Sequence, residues 1–238
     1  VSALSRIECH FPFETRPLWQ QQELDVRSGP RWPVPFDRQE RVARYGTNLA
    51  SCIQQIRNGP RDSWERLLSR AQLGLGDELR DLTLVPSGRG NVDLELVFAA
   101  WTDKPLPVRA LSEGQISYLL MVAMFELGRE RSILLFDEPE LHLHPELLAR
   151  AVQMFEEASK TCPVIIATQS DQLLDALDDP AKSVVLSDRD EAGIVFRRPN
   201  PTALTRWLER YRGLGTIRKE GYEKHVFDGG RPDDGKQP

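Results

Sequence analysis

The hydrophobic pattern of this chain switches period several times, and each switch marks an element. Ser132–Phe136 ends in an unbroken apolar run, Ile133-Leu134-Leu135-Phe136, which predicts a strand covered on both faces. Pro163–Ala167 predicts a second buried strand. Between them Pro145 opens a helix whose inner stripe is Leu147, Leu148, Ala151, Val152, Phe155 and Ala158. Upstream, Ile116–Leu127 is apolar almost all round and predicts a buried helix. Val92–Val97 alternates apolar and charged residues at period two, so it predicts a half-exposed strand, paired through a Pro86–Gly90 turn with Leu79–Val85.

Two amphipathic helices are expected earlier. One starts at Asp37 and carries Val42, Tyr45, Leu49, Ile53 and Ile56 until Asn58-Gly59-Pro60 stops it; the other is Asp62–Leu73, with Trp64, Leu67, Leu68 and Ala71 on one face. Later come a short helix over Asp171–Leu177, strands at Ser183–Ser187 and Gly193–Arg197, and a last helix over Thr202–Arg212. Strands alternating with helices predict an α/β fold with a mainly parallel sheet and flanking helices. Prolines at 12, 17, 30, 33 and 35 predict an irregular segment over residues 1–36. Residues 37–110 read as a helical subdomain with a β-hairpin, 111–212 as the main lobe, and 213–238, rich in Gly and charge, as a disordered tail.

Composition changes this picture little. The 238 residues can bury a full core, and a net charge of −5 argues against a surface built as a whole for nucleic acid. No apolar run reaches the roughly 18 residues of a membrane span, and the N-terminus has no basic-then-apolar leader pattern. Cys9, Cys52 and Cys162 are far apart and odd in number, as expected of reduced structural thiols in a cytoplasmic protein. Arg197–Lys224 is locally basic, with eight Lys/Arg against three Glu, and includes Trp207 and Tyr211. Such a segment suits the DNA backbone, or else a solvated helix that packs its aromatics inward.

The candidate chemistry clusters around two short stretches. Asp137 and Glu138 follow the apolar strand directly, and in open α/β sheets ligands collect at the carboxyl ends of strands. Adjacent carboxylates there suit one metal-directed group and one base that activates water. Ser112 and Gln115 have the S-x-x-Q spacing of a capping box, with Gly114 between them permitting close approach to the backbone. A helix N-terminus of this kind is an anion site. His142 and His144 share a face if extended, but no third Cys or His lies nearby.

Leu111-Ser112-Glu113-Gly114-Gln115 resembles the signature motif of ABC-type ATPases, and Ile133–Glu140 resembles their Walker B strand with its catalytic glutamate. Glu140–Pro145 resembles the D-loop, and Ala167-Thr168-Gln169-Ser170 the switch segment, of ATPases related to SMC, RecF and the OLD proteins. The similarity covers about Tyr45–Arg198, and its specific motifs run from Leu111 to Ser170.

The resemblance implies the head of a P-loop NTPase that binds ATP and Mg²⁺, dimerises with a like subunit through the nucleotide, and hydrolyses it. Asp137 is then the magnesium-side carboxylate and Glu138 the general base. Ser112, Glu113, Gly114 and Gln115 become contacts to the γ-phosphate held by the opposite subunit, and His144 belongs to a loop crossing the dimer interface. Gln169 stands where many ABC ATPases have histidine; it can donate a hydrogen bond but carries no cation, which implies slow turnover. DNA repair or phage defence is the implied setting, with DNA or a nuclease as partner and no membrane. The phosphate-binding pattern G-x-x-x-x-G-K-[ST] does not occur, and the chain starts at Val1. The expectation is therefore a C-terminal part whose Walker A segment lies elsewhere, inactive alone. The alternative is a non-hydrolysing module that completes another chain's nucleotide site.

Overall fold

The structure, a computed structural model, describes residues 6–10, 12–13, 15–16, 29–127, 131–190 and 193–228. The tail expected at 229–238 and much of the irregular segment expected at 1–36 therefore lie outside the described residues. The chain forms two compact units, Val1–Ala167 and Thr168–Pro238.

The first unit is built on a parallel sheet of three strands, β1 (Ile7–His10), β6 (Ile133–Asp137) and β7 (Val164–Ala167), in the order β1-β6-β7. His10 lies opposite Phe136, and Asp137 opposite Ala167. β1 falls inside the stretch expected to be irregular. The prolines come only after it, and its pairing with β6 supplies what four residues cannot encode alone. Helices α3 (Glu113–Leu127) and α4 (Pro145–Ser159) pack with this sheet. Leu134 and Phe136 are buried, whereas Ile133 and Leu135 are only partly covered and Ile165 is 56% exposed. The two strands expected to be buried on both faces are thus covered chiefly on one.

α3 is the centre of the core. Ile116 and Tyr118–Met124 are all buried, as its all-round apolar pattern requires. Each such side chain contributes about 1.5–3 kcal/mol on burial. α3 packs with α1 (Leu49–Arg57) and α2 (Arg61–Leu75). An antiparallel hairpin, β3 (Leu79–Pro86) with β4 (Asn91–Phe98), joins the same core through Leu82, Leu94 and Leu96. Two-residue strands β2 (Val34–Pro35) and β5 (Leu106–Pro107) extend it.

The helix expected from Asp37 begins only at Leu49, and Tyr45 is exposed. Gly46, at φ +72°, breaks the pattern, and the Asn48 side chain holds the preceding turn: its carbonyl accepts from Ala43 N–H at 2.8 Å and its amide donates to Arg41 O at 2.9 Å.

The second unit holds helices α5 (Asp171–Asp175) and α6 (Pro180–Ser183), an antiparallel hairpin β8 (Leu186–Asp190) and β9 (Gly193–Arg197), and helices α7 (Pro201–Leu208), α8 (Leu214–Lys219) and α9 (Glu223–Asp228). β8 and β9 pair with each other and do not extend the parallel sheet among the described residues. Two of these helices occupy the first part of the tail expected to be disordered. Their core is Leu204, Trp207, Leu214, Ile217 and Val226. The sequence pattern failed there because each helix is six residues long, too short to show a period.

Candidate functional site

The N-terminus of α3 is closed by a reciprocal capping box. Ser112 N–H donates to Gln115 Oε1 at 2.9 Å, and Gln115 N–H donates to Ser112 Oγ at 3.2 Å. Ser112 is exposed and Gln115 half-buried. Because Ser112 Oγ serves here as acceptor, its own proton stays available to a ligand, as does the Gln115 amide NH₂.

The approach to this cap is set from behind by Arg31, a residue the sequence reading passed over. Arg31 is only 2% exposed. Its Nε donates to Thr15 O at 2.9 Å, and its Nη1 to Arg109 O at 2.8 Å and Leu111 O at 2.7 Å. Burial pulls the guanidinium pKa down, while the charge of Glu113 pulls it back up. One planar fork thus fixes the two carbonyls just before Ser112. A lone arginine in a proline-rich stretch gives no sequence signal of this.

The loop after β6 packs directly on the cap. Asp137 ends the strand and is exposed; Glu138 is half-buried at φ +45°, with its N–H donating to Ala167 O at 2.8 Å. Glu138 thus leaves the strand through a left-handed backbone turn directly after Asp137. Tight turns continue: Leu141 N–H donates to Glu138 O at 3.1 Å and Leu143 N–H to Glu140 O at 2.9 Å, with His142 at φ +68°. His142 Nδ1 lies 3.2 Å from Glu113 Oε2, and Thr15 Oγ1 donates to the same oxygen at 3.5 Å. A Cβ on Gly114 would sit 2.6 Å from His142 O, so only glycine lets loop and helix meet at this spacing. His144 is exposed and precedes α4 without a side-chain cap bond.

Ser112, Glu113, Gly114 and Gln115 are thus brought together with the 138–144 loop within the first unit. Gln169 belongs to the second unit, where it is exposed just ahead of α5. Ser170 caps α5, its Oγ accepting from Leu173 N–H at 3.2 Å.

Among the described residues no group of three His, Cys, Asp or Glu could hold a metal. A magnesium ion asks for less, since it keeps waters and substrate phosphates and takes one or two carboxylates. Asp137, exposed at the strand end, fits that need.

The basic C-terminal stretch is not an aromatic platform. Trp207 is 1% exposed and packs with Tyr211, Tyr222 and His225 at centroid distances of 5.5, 5.1 and 5.7 Å. Among the described residues no helix is long and apolar enough to cross a membrane.

Residues 100–175 match the family described as "AAA domain, putative AbiEii toxin, Type IV TA system". Protein ea59 of Escherichia phage lambda is 28% identical over 124 residues; the match covers 50% of this chain and 22% of that protein, so the chain spans about a fifth of its relative's length. The Smc head domain of Pyrococcus furiosus, solved with the C-terminal domain of ScpA, aligns at TM-score 0.45 and 16% identity over 61% of this chain and 36% of that one. The SMC head domain of Thermotoga maritima aligns at TM-score 0.43 and 13% identity over 68% and 57%. The family match at residues 100–175 is to an ATPase-type domain, in line with the expected resemblance, and the expected α/β class with a parallel sheet is the one observed.

Proposed function

We propose, from the premise that residues 100–175 are a segment of an AAA-type ATPase domain, that this chain supplies the catalytic strand and the opposing half-site of an ATPase that dimerises on ATP. The observation that carries the reading is the contact of the capped N-terminus of α3 with the loop that follows Asp137 and Glu138, made at Gly114. Positive backbone groups and two carboxylates then belong to one rigid assembly.

In this reading Ser112 and Gln115 hold a γ-phosphate presented by a second subunit. They use the donors left over from the capping box, and the dipole of α3 favours the anion. Glu138 orients and deprotonates the attacking water, and Asp137 would hold Mg²⁺. When bound there, the ion would supply charge neutralisation at the phosphates. His142, through Glu113, and His144 tie the interface loop to the phosphate-binding turn, so occupancy of one site is felt at the other. Gln169 donates its amide to the phosphate or the water. The reading requires a phosphate-cradling loop of the G-x-x-x-x-G-K-[ST] kind, a pattern these 238 residues do not contain, and it proposes turnover only where such a loop is supplied. The proposed setting is DNA repair or phage defence in the cytoplasm, acting on DNA or a partner nuclease; the toxin–antitoxin context in the family description agrees with it.

The test uses a polypeptide or mixture that supplies the missing loop. Glu138→Gln should trap an ATP-bound dimer in size-exclusion chromatography and lower the hydrolysis rate at least about a hundredfold, the scale of a lost general base. Ser112→Arg should abolish dimerisation while leaving ATP binding. Normal hydrolysis by Glu138→Gln would sink the proposal.

A further inference from the structure

In the second unit α8 packs closely against α5, the helix that begins two residues after Gln169. Two glycines make this approach possible. A Cβ on Gly215 would lie 1.8 Å from Asp171 O, and one on Gly213 would lie 2.3 Å from Asp175 Oδ1. Asp175 then accepts twice from one residue, from Thr216 N–H at 2.9 Å and Thr216 Oγ1 at 2.7 Å. One turn further on, Arg218 reaches past α5. Its Nη1 donates to Gln169 O at 3.1 Å and lies 3.3 Å from Asp171 Oδ1. The stretch Gly213-Leu214-Gly215-Thr216-Ile217-Arg218 therefore grips both ends of α5 and the main chain of Gln169. Leu214 and Ile217, on the same helix, are buried with Trp207. The grip is thereby anchored in the core of this unit.

We infer that this stretch is a clamp for the switch segment, with Arg218 as a positioning residue that fixes the Gln169 main chain and so the reach of its side-chain amide. Gln169 itself is exposed, two residues past the end of β7 and directly before the Ser170 cap of α5, and the Arg218 bond is made to its carbonyl. A guanidinium suits the task, since it donates to the carbonyl while its charge stays beside the Asp171 carboxylate. Its consequence for hydrolysis rests on the reading of Gln169 given above; the clamp itself does not.

Two measurements separate the two claims. Hydrogen exchange on the present chain compares wild type with Arg218→Ala, Arg218→Lys and Thr216→Val. In Arg218→Ala, exchange over residues 168–176 should rise about tenfold while residues 201–208, around Trp207, stay protected; Arg218→Lys should restore part of the protection. Unchanged exchange at 168–176 overturns the clamp, and so does equal loosening of both segments in every variant, which would make α8 a general support. Kinetics in the hydrolysing assembly then use Glu138→Gln as reference. With that reference inactive, Arg218→Ala should lower kcat about tenfold with KM for ATP within twofold of wild type. Full kcat in Arg218→Ala overturns the positioning role. Full activity in Glu138→Gln overturns the ATPase assignment instead, and exchange alone then decides the clamp.

Discussion

Replacing Gly114 by alanine tests the contact on which the site is assembled. Two effects oppose each other. Gly114 is the second residue of α3 and has no positive φ, so alanine should gain up to about 0.5–1 kcal/mol from reduced backbone entropy and better helix propensity. Against this, the new Cβ would sit 2.6 Å from His142 O, well short of the 3.4 Å at which ordinary contact begins. The obstacle is a main-chain carbonyl and cannot rotate away as a side-chain end could. Overpacking of this kind costs about 1–3 kcal/mol. The clash therefore wins, with a net destabilisation of about 1 kcal/mol.

Relief can come only from α3 or from the loop, and α3 is buried all round while Leu141 and His142 are exposed. The loop should yield. Thermal unfolding should shift down by about 2–4 °C, the scale for about 1 kcal/mol in a unit of this size. Hydrogen exchange should rise at the amides of Leu141 and Leu143, which bond Glu138 O and Glu140 O, more than within α3. A melting temperature equal to wild type or higher, with protection of these two amides unchanged, would refute the packing of the loop on the cap.

Two further outcomes follow from buried groups. Burial pushes the Glu8 carboxyl up, but the His10 ring 3.5 Å away and the charge and bonding of Arg131 outweigh it and hold the group below its ordinary value of 4.5. A depressed folded pKa means stability that is complete above 4.5 and lost as pH falls through the lowered value; Glu8→Gln should flatten this acid limb in denaturant titrations, and an unchanged limb would contradict the ion pair. The Cys52 thiol is pushed up to about 12 by burial, whereas Cys9 is exposed. Alkylation of the native chain at neutral pH should label Cys9 and spare Cys52; equal rates would contradict the placement of Cys52 on the buried face of α1.

What could be read from the sequence was what is encoded within a few residues. The capping box needs only Ser112 and Gln115, three apart, and the buried helix and strand after it need only their own apolar runs. The hairpin of β3 and β4 was legible for the same reason. The failures share a cause too. The strand Ile7–His10 owes its conformation to a partner some 125 residues away, and nothing in four residues announces that. Arg31 acts on carbonyls about 80 residues further on. The grip of α8 depends on two glycines whose need arises only where α5 lies against them. In the C-terminal stretch the sequence left open a DNA-binding surface or a solvated helix packing its aromatics inward, and Trp207 and its neighbours pack into the core that holds α8 in place.

Glu138 stands apart from both groups, because it was legible as chemistry and unexpected as conformation. The chain leaves β6 through a residue at positive φ, a conformation that glycine or asparagine adopts at little cost. A glutamate at φ +45° costs roughly 1–3 kcal/mol. Its N–H bond to Ala167 O could be made by any residue except proline, so the turn alone gives no reason for a carboxylate. A solvated acidic turn would account for the charge, but not for its placement at the one strained position between the sheet and the loop that meets the cap. The strain therefore supports the proposed role of the Glu138 carboxylate, and rates and stability of Glu138→Gly test it: a more stable variant with unchanged hydrolysis would remove that support.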